Sequence, residues 1–287
     1  MNGLRAAALL VLGLAGCAVS NFEKMSRLER DIRLVANRES PGLQISLWLA
    51  QADGRELLAL DADRPVPGAS TLKVLILVEA HAQAIQGTFR WTEEHTLLQS
   101  DVVGGTGSFQ NERIGSSWTY LQYARRMISE SDNTASNILL RKLGMRSVNE
   151  RAARLGLQGT RFEREYMDFR AHDEGKDNWT TAREMGQLLR VIFRKEILTP
   201  DACEEMIRLL ERTSRGRIAS GVPAEIPVGH KSGAFPGLRH DAGWVRVPGH
   251  PYILSVFLEN VGREEKGAAA LDAIGRIVYQ AVGPTDE

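Results

Sequence analysis

This chain has no excess of either charge. Its 287 residues carry 36 lysines and arginines against 36 aspartates and glutamates, for a formal net charge of zero. With no cluster of basic residues either, it lacks the electrostatic footprint that nucleic-acid binding needs. Cysteine is scarce: Cys17 and Cys203 are the only two, which excludes a disulfide framework. The six histidines, at 81, 95, 172, 230, 240 and 250, form no His-x-His or His-x-x-x-His pair. Cys203 has no second thiolate nearby, so no local zinc signature exists and no metal or other cofactor is expected. Internal repeats and low-complexity linkers are also missing. What remains is of ordinary globular composition, 43% hydrophobic and 25% charged, long enough for one large domain or two modest ones.

Apolar runs of membrane-spanning length are absent. Ala6–Gly16 is apolar for eleven residues, well short of the roughly 20 that a spanning helix needs. After the basic start Met1–Arg5 it reads as the core of a secretory signal. It ends in Leu14-Ala15-Gly16-Cys17, which resembles the lipobox of bacterial lipoproteins. The expectation is a signal over 1–17, a lipid anchor at Cys17 as the only membrane contact, and an exported body facing the periplasm or cell exterior. Ordinary cleavage near Ala18 is the alternative. The body is expected to be a monomer, with Cys203 a buried structural thiol.

Along the body, Asn21–Arg38 has helical spacing of Phe22, Met25, Leu28 and Ile32, and Leu43–Ala50 alternates as a strand. Asp53-Gly54 predicts a turn, with Glu56–Leu60 returning as the second arm of a hairpin. Leu72–Ala80 is apolar almost all round, which marks a buried helix. Further helices are expected near 119–129, 133–143, 146–155, 181–195 and 200–212. Gly243–Val247 and Tyr252–Leu258 read as strands, and 262–282 as a closing helix. Strands at both ends with helices between them predict an α+β fold. Its antiparallel sheet is formed by both chain ends (18–62 plus 215–287) and flanked by helices, with an all-helical lobe inserted over 63–214. The cleft between the lobes is the expected place for a site.

Three short motifs carry chemistry. Ser70-Thr71-Leu72-Lys73 puts a hydroxyl at the mouth of the buried helix and an amine one turn later, on the same face. Serine needs a nearby base to become a nucleophile, and lysine serves when burial or a neighbouring cation lowers its pKa. Alone, the same residues describe a helix cap followed by a lysine reaching for solvent. Ser131-Asp132-Asn133 joins two helices. Ser131 can relay a proton, Asn133 can hold a substrate carbonyl or orient Lys73, and Asp132 is better suited to pinning the turn; alone, the three describe a capping cluster. Lys231-Ser232-Gly233, ahead of an apparent strand edge, offers a charge, a hydroxyl and room for close backbone approach. Alone it describes a surface turn.

Taken together, the order S-x-x-K, S-D-N, K-S-G at 70, 131 and 231 resembles the active-site set of class A β-lactamases and penicillin-binding proteins. The surroundings Met127–Asn137, Thr180–Met185 and Arg239–Trp244 resemble that family as well. The resemblance implies that Ser70 attacks a β-lactam carbonyl and that Lys73 is, or assists, the base. Ser131 then hands a proton to the departing nitrogen. The N–H groups of Ser70 and Ala234 form an oxyanion hole, worth roughly 3–4 kcal/mol per donor. Asn133, Lys231, Ser232, Gly233 and Ala234 are implied substrate-binding residues, with Arg239 or Arg217 assisting at the substrate carboxylate. The Gly-rich loop 101–107 lacks the Gly-Lys-Ser/Thr of a phosphate loop and is expected to form the cleft rim, with Trp118 and Tyr120 either lining it or packed in the core.

One stretch departs from the family pattern. Class A enzymes hold their deacylating water with a glutamate and an asparagine in R-x-E-x-x-L-N, whereas this chain reads Thr160-Arg161-Phe162-Glu163-Arg164-Glu165-Tyr166-Met167-Asp168. Anchoring on Arg161 makes Glu163 the base and puts Met167 in the asparagine's place. Anchoring on Thr160 and Arg164 puts Tyr166 at the glutamate position. Glu163 is the expected base and Glu165 a neighbour within a small shift, although these carboxylates can instead simply pair with Arg161, Arg164 and Arg170. The functional expectation is a serine hydrolase that opens β-lactam rings through a Ser70 acyl-enzyme. A D-Ala-D-Ala peptidase or esterase on the same fold, acting on peptidoglycan-stem-like substrates, is an alternative, as is a penicillin-binding protein that acylates without efficient turnover.

Overall fold

The computed structural model describes residues 23–283. The apolar leader, Cys17 and the first residues of the expected Asn21–Arg38 helix lie outside the described residues. Helix α1 runs over 23–39. Strands β1 (Gln44–Gln51) and β2 (Glu56–Leu60) form the expected hairpin. From the other end of the chain come β7 (Val228–Phe235), β8 (Leu238–Val245) and β9 (Tyr252–Glu259). Together they make one five-stranded antiparallel sheet in the order β2-β1-β9-β8-β7, with the first strand of the chain paired to the last along its full length.

Alternation along each strand splits the core in two. Leu47 and Leu49 of β1 point to one face, together with Leu254 and Val256 of β9. They pack against Leu28 and Ile32 of α1 and against Leu271, Ile274 and Val278 of the closing helix α9 (Glu264–Val282). Trp48 and Ala50 point to the other face and join Trp244, Ile253 and Phe257 in a larger core shared with the inserted helices. Those are α2 (Lys73–Ile85), α3 (Tyr120–Ser129), α4 (Asn133–Leu143), α5 (Met145–Arg154), the short α6 (Phe169–Asp173), α7 (Ala182–Phe193) and α8 (Pro200–Glu211). Helix α7 lies directly on the sheet: a Cβ at Gly186 would come within 2.2 Å of the Trp48 ring, so only glycine admits this approach. Helix α2 is apolar because it runs through the middle of the helical lobe, with every residue from Lys73 to Ala82 buried. No described helix is long and apolar enough to cross a membrane.

Strand β7 differs from expectation. Lys231-Ser232-Gly233 does not precede a strand edge but sits inside the edge strand. Its sequence, VGHKSGAF, lacks the apolar alternation that identifies a strand because one side of it faces a cleft rather than a core. Strand β8 likewise starts at Leu238, five residues before the apolar signal, since Arg239, His240 and Asp241 are polar.

Candidate active site

The chain enters the site through β3 (Val66–Pro67), which pairs with β6 (Trp179–Thr180); a second short pair is formed by β4 (Glu94–Thr96) and β5 (Ser117–Thr119). Gly68 N donates to Asn178 O at 2.8 Å, and Thr71 Oγ1 donates back to Gly68 O at 2.6 Å. This clamps a tight turn in which Ala69 takes a left-handed φ of 45°. Ser70 sits in the 3-10 turn Ala69–Leu72 that leads into α2, rather than in the α-helix itself. Residues three apart eclipse one another in such a turn, and the Lys73 N–H donates to Ser70 O, which sets the two residues on one side of it. Ser70 stays half-exposed at the cleft while Lys73 is completely buried.

The Lys73 amine donates to Ser131 O, to Ser131 Oγ at 3.2 Å and to Asn133 Oδ1 at 2.9 Å. Burial pushes its pKa well below the ordinary lysine value, and the second cation at Lys231 pushes in the same direction. The ring of Tyr166 lies 4.7 Å from the amine and partly offsets this by favouring the cation.

Ser131 presents both its groups to Lys73 because its backbone is left-handed, at φ 57°. Such a conformation costs a non-glycine residue about 1–3 kcal/mol and persists only where its surroundings enforce it. Asp132 enforces it: one carboxylate oxygen caps α4 through Ala135 N at 2.8 Å and the other accepts from Phe109 N at 2.8 Å. The rim loop closes over the turn. Thr106 Oγ1 donates to Ser131 O at 2.7 Å, and Asn133 Nδ2 donates to Gly104 O at 3.1 Å. Asn133 therefore orients Lys73 with its oxygen and holds the rim with its amide. Gly107 is required here, since at φ 101° a Cβ would lie 2.1 Å from Asp132 Oδ2. Trp118 and Tyr120 pack into the helical core instead of lining the rim: Trp118 meets Phe109 edge-on, and Tyr120 is buried against Phe89.

On the opposite wall, Lys231 Nζ donates to Ser131 Oγ at 3.0 Å and to Ser232 O at 3.2 Å. Ser131 Oγ thus accepts from two amines. That occupies both its lone pairs and leaves its own proton for the cleft. Burial lowers the Lys231 pKa to about 8, against the opposing pull of Asp241. Gly233 also has a packing role. A Cβ there would sit 3.2 Å from Ser70 N and from Gly68 O, so the glycine lets β7 lie against the Ser70 turn. Ser232 and Ala234 face a cavity of about 520 Å³ that they share with Ser70, Ser131, Asn133 and Tyr166. Of the two arginine candidates, Arg239 lines this cavity and also pairs with Glu264. Arg217 is bound to Asp272 of α9 at 2.6 Å, on the far side of the sheet.

The remaining wall is the segment 161–179. Its neck is closed by two backbone hydrogen bonds between Arg161 and Trp179, at 2.9 and 2.8 Å. Inside it, Arg164 and Asp177 form a buried ion pair at 2.9 Å. Glu163, the expected base, is engaged within this wall: neither Ser70 nor Lys73 is among the hydrogen-bond partners of its carboxylate. One oxygen is held by Arg161 Nε at 2.7 Å and the other accepts from Asp177 N at 3.2 Å. Although partial burial opposes it, these bonds hold the Glu163 pKa below the usual carboxylate value. Glu165 turns away to Arg141, at 2.9 Å. The side chain that reaches the site is Tyr166, whose backbone is gripped at both ends by Asn137, at 2.8 and 3.0 Å. Its hydroxyl donates to Ala69 O at 3.4 Å, and burial pushes the phenol pKa far above the ordinary tyrosine value. The alignment anchored on Arg164 is the one that pointed to this position.

A buried low-pKa lysine, two further hydroxyls and a second ammonium around one cleft define a serine acyl-transfer hydrolase. Among the described residues, no group of three His, Cys, Asp or Glu side chains is placed to hold a metal. The family model described as "Beta-lactamase enzyme family" matches residues 27–282. A β-lactamase of Streptomyces fradiae is 25% identical over 264 residues, covering 88% of this chain and 85% of that protein. Among solved structures, an ancestral class A β-lactamase has a TM-score of 0.80 at 25% identity, with 88% of this chain and 99% of that chain covered. A mutant of PBP-A in acyl-enzyme complex with penicillin G has a TM-score of 0.81 at 26% identity, covering 89% and 96%. The chain belongs to the β-lactamase enzyme family, as a serine hydrolase of the class A-like type.

Proposed function

We propose that this enzyme opens β-lactam rings by acyl transfer to Ser70. The observation that carries the reading is Ser131 Oγ, which accepts from Lys73 and Lys231 and so has its proton free for the cleft. In its neutral form Lys73 takes the Ser70 proton as Oγ attacks the ring carbonyl. The ring C–N bond then breaks, Ser131 protonates the departing nitrogen, and the Lys73 ammonium returns a proton to Ser131. The products are a Ser70 ester and a neutral lysine, ready for the next transfer. Lys231 and Ser232 receive the substrate carboxylate, with Arg239 nearby, and Ser70 N and Ala234 N receive the oxyanion. Ser70→Ala should abolish covalent labelling by a fluorescent penicillin in a protein that still folds. Labelling that persists in this variant would falsify the assignment of Ser70.

Tyr166 favours a second reading for the fate of the ester. Where class A enzymes use a glutamate to activate water, this chain has a neutral phenol, and both nearby glutamates are engaged with arginines. Slow ester release suits a penicillin-binding D-Ala-D-Ala peptidase or sensor, for which a β-lactam is a trap rather than a substrate. A mass-spectrometric time course of residues 18–287 with benzylpenicillin and nitrocefin separates the two. Transient acylation with steady product release supports the β-lactamase, whereas a lasting Ser70 adduct supports the second reading.

The Leu-Ala-Gly-Cys ending of the leader supports export and a lipid anchor at Cys17. Incorporation of a labelled fatty acid in the native host, lost in Cys17→Ser, tests this.

A further inference from the structure

Two histidines are buried in the sheet beside the site, and their hydrogen-bond partners are of opposite kinds. His240 on β8 points Nε2 at a carbonyl, Pro67 O at 3.0 Å, and receives Leu258 N at Nδ1 at 3.3 Å. One ring nitrogen donates and the other accepts, which describes a neutral imidazole. His230 on β7 has acceptors at both ends. Nδ1 meets Asp241 Oδ1 at 2.7 Å and Nε2 meets Ser214 O at 2.5 Å. Both nitrogens must donate, so the ring is an imidazolium. The site is built tightly: the second Asp241 oxygen accepts from Ile218 N at 3.0 Å, and a Cβ at Gly216 would fall 2.3 Å from His230 Nδ1. His230 is 5% exposed and Asp241 is fully buried.

We propose that His230 and Asp241 form a buried imidazolium–carboxylate pair on the Ser232 face of β7 that positions Lys231 and sets the charge it presents to a substrate carboxylate. The proposal rests on the reading of Lys231 given above. His230 immediately precedes Lys231 and so faces the other side of the strand, where Asp241 is its diagonal neighbour across the β7–β8 ladder. Lys231 is as deeply buried as the pair, at 3% exposed. Its ammonium therefore depends on the carboxylate behind it, and that carboxylate is in turn balanced by the His230 proton.

The other charges on the elements around the pair are engaged elsewhere. Arg215 donates to carbonyls of 222–226, Arg217 pairs with Asp272 of α9, and Glu211 at the end of α8 accepts from Trp244 and Arg246. The charges that decide the state of Lys231 are its own, Asp241, His230 and, across the shared Ser131 Oγ, Lys73, which the variants below leave in place. Asp241 supports the Lys231 charge and the imidazolium opposes it.

The two partners must consequently act in opposite directions, which a merely structural role would not produce. The second-order rate of labelling by a fluorescent penicillin is followed from pH 6 to 10, where the wild-type rate is expected to fall above about pH 8 as Lys231 loses its proton. Asp241→Asn should move that fall to lower pH, by less to the extent that His230 gives up its proton along with the carboxylate, and His230→Gln, which leaves Asp241 unbalanced, should move it further, to higher pH. Shifts in the same direction, or a uniform loss at all pH values, would overturn the proposal. The reading of Lys231 is checked separately by Lys231→Arg, whose permanent charge should remove the alkaline fall; if the fall stays, that reading fails. The ionisation of the pair needs no destabilising variant. In ¹⁵N-histidine spectra of the wild-type protein at pH 7, His230, assigned by the signal missing in His230→Gln, should show both nitrogens protonated. A single unprotonated nitrogen there overturns the imidazolium.

Discussion

The two walls of the cleft are built on different principles. On the wall made by the Ser70 turn, the Ser131–Asn133 turn and β7, the buried polar side chains are held by partners that direct them at the reacting centre. Lys73 is aimed by Asn133 and Ser131, Ser131 is aimed by Asp132 and Thr106, and Gly233 brings β7 against Ser70. On the wall made by 161–179, polar groups are partnered with one another: Glu163 with Arg161, Arg164 with Asp177, Glu165 with Arg141. What that wall sends to the centre is an aromatic ring. In the mechanism proposed above, the first wall makes the ester and the second is poorly equipped to break it. That mechanism puts acylation and deacylation in separable parts of the fold, so that each can change without the other.

The most severe break is on the first wall. Lys73→Met keeps the length and apolar packing of the side chain and removes the base. Labelling should fall by about 10²–10⁴-fold, the usual contribution of a positioned general base, with little change in the folded state. The converse change sharpens the comparison from the other side. Tyr166→Glu places a carboxylate where the phenol now sits, beside Lys73, and should speed release of a penicillin ester by about 10²-fold. Intact-mass decay of the adduct measures it; an adduct that lasts as long as in the wild type would mean that water, and not only a base, is excluded by this wall. A smaller effect, on stability alone, is expected at the rim. Gly107→Ala forces a Cβ onto Asp132 at a left-handed backbone position and should cost about 1–3 kcal/mol, read as a lower Tm.

The acylating wall was legible in the sequence because its geometry is local. S-x-x-K needs one turn, S-D-N needs one helix junction, and the sheet that joins them is announced by apolar strands at both chain ends. Two things were not legible, for the same physical reason. Strand β7 has no alternation because it borders a cleft, and the loop carboxylates have no spacing that distinguishes a water-activating glutamate from one that binds an arginine. Glu163 and Tyr166 are three residues apart, and the grips of Asn178 on the Glu163 backbone and of Asn137 on the Tyr166 backbone decide which of them faces Lys73. The His230–Asp241 pair was equally hidden: neither residue belongs to a motif, and they meet only through the β7–β8 register.

The smallest effect is expected at Glu163, and there it is the most informative. Its carboxylate is about a third exposed and bound to an arginine more exposed still. Surface pairs of that kind contribute only about 0–1 kcal/mol. Glu163→Gln keeps an oxygen for Asp177 N and should leave both Tm and adduct lifetime essentially where they were. A glutamate that activates water would behave differently, and its loss would trap the ester. If Glu163→Gln prolongs the adduct, the loop must rearrange once Ser70 is acylated, carrying Glu163 past Arg161 and displacing Tyr166 from Lys73. The separation of the two walls would then be a property of the resting enzyme alone.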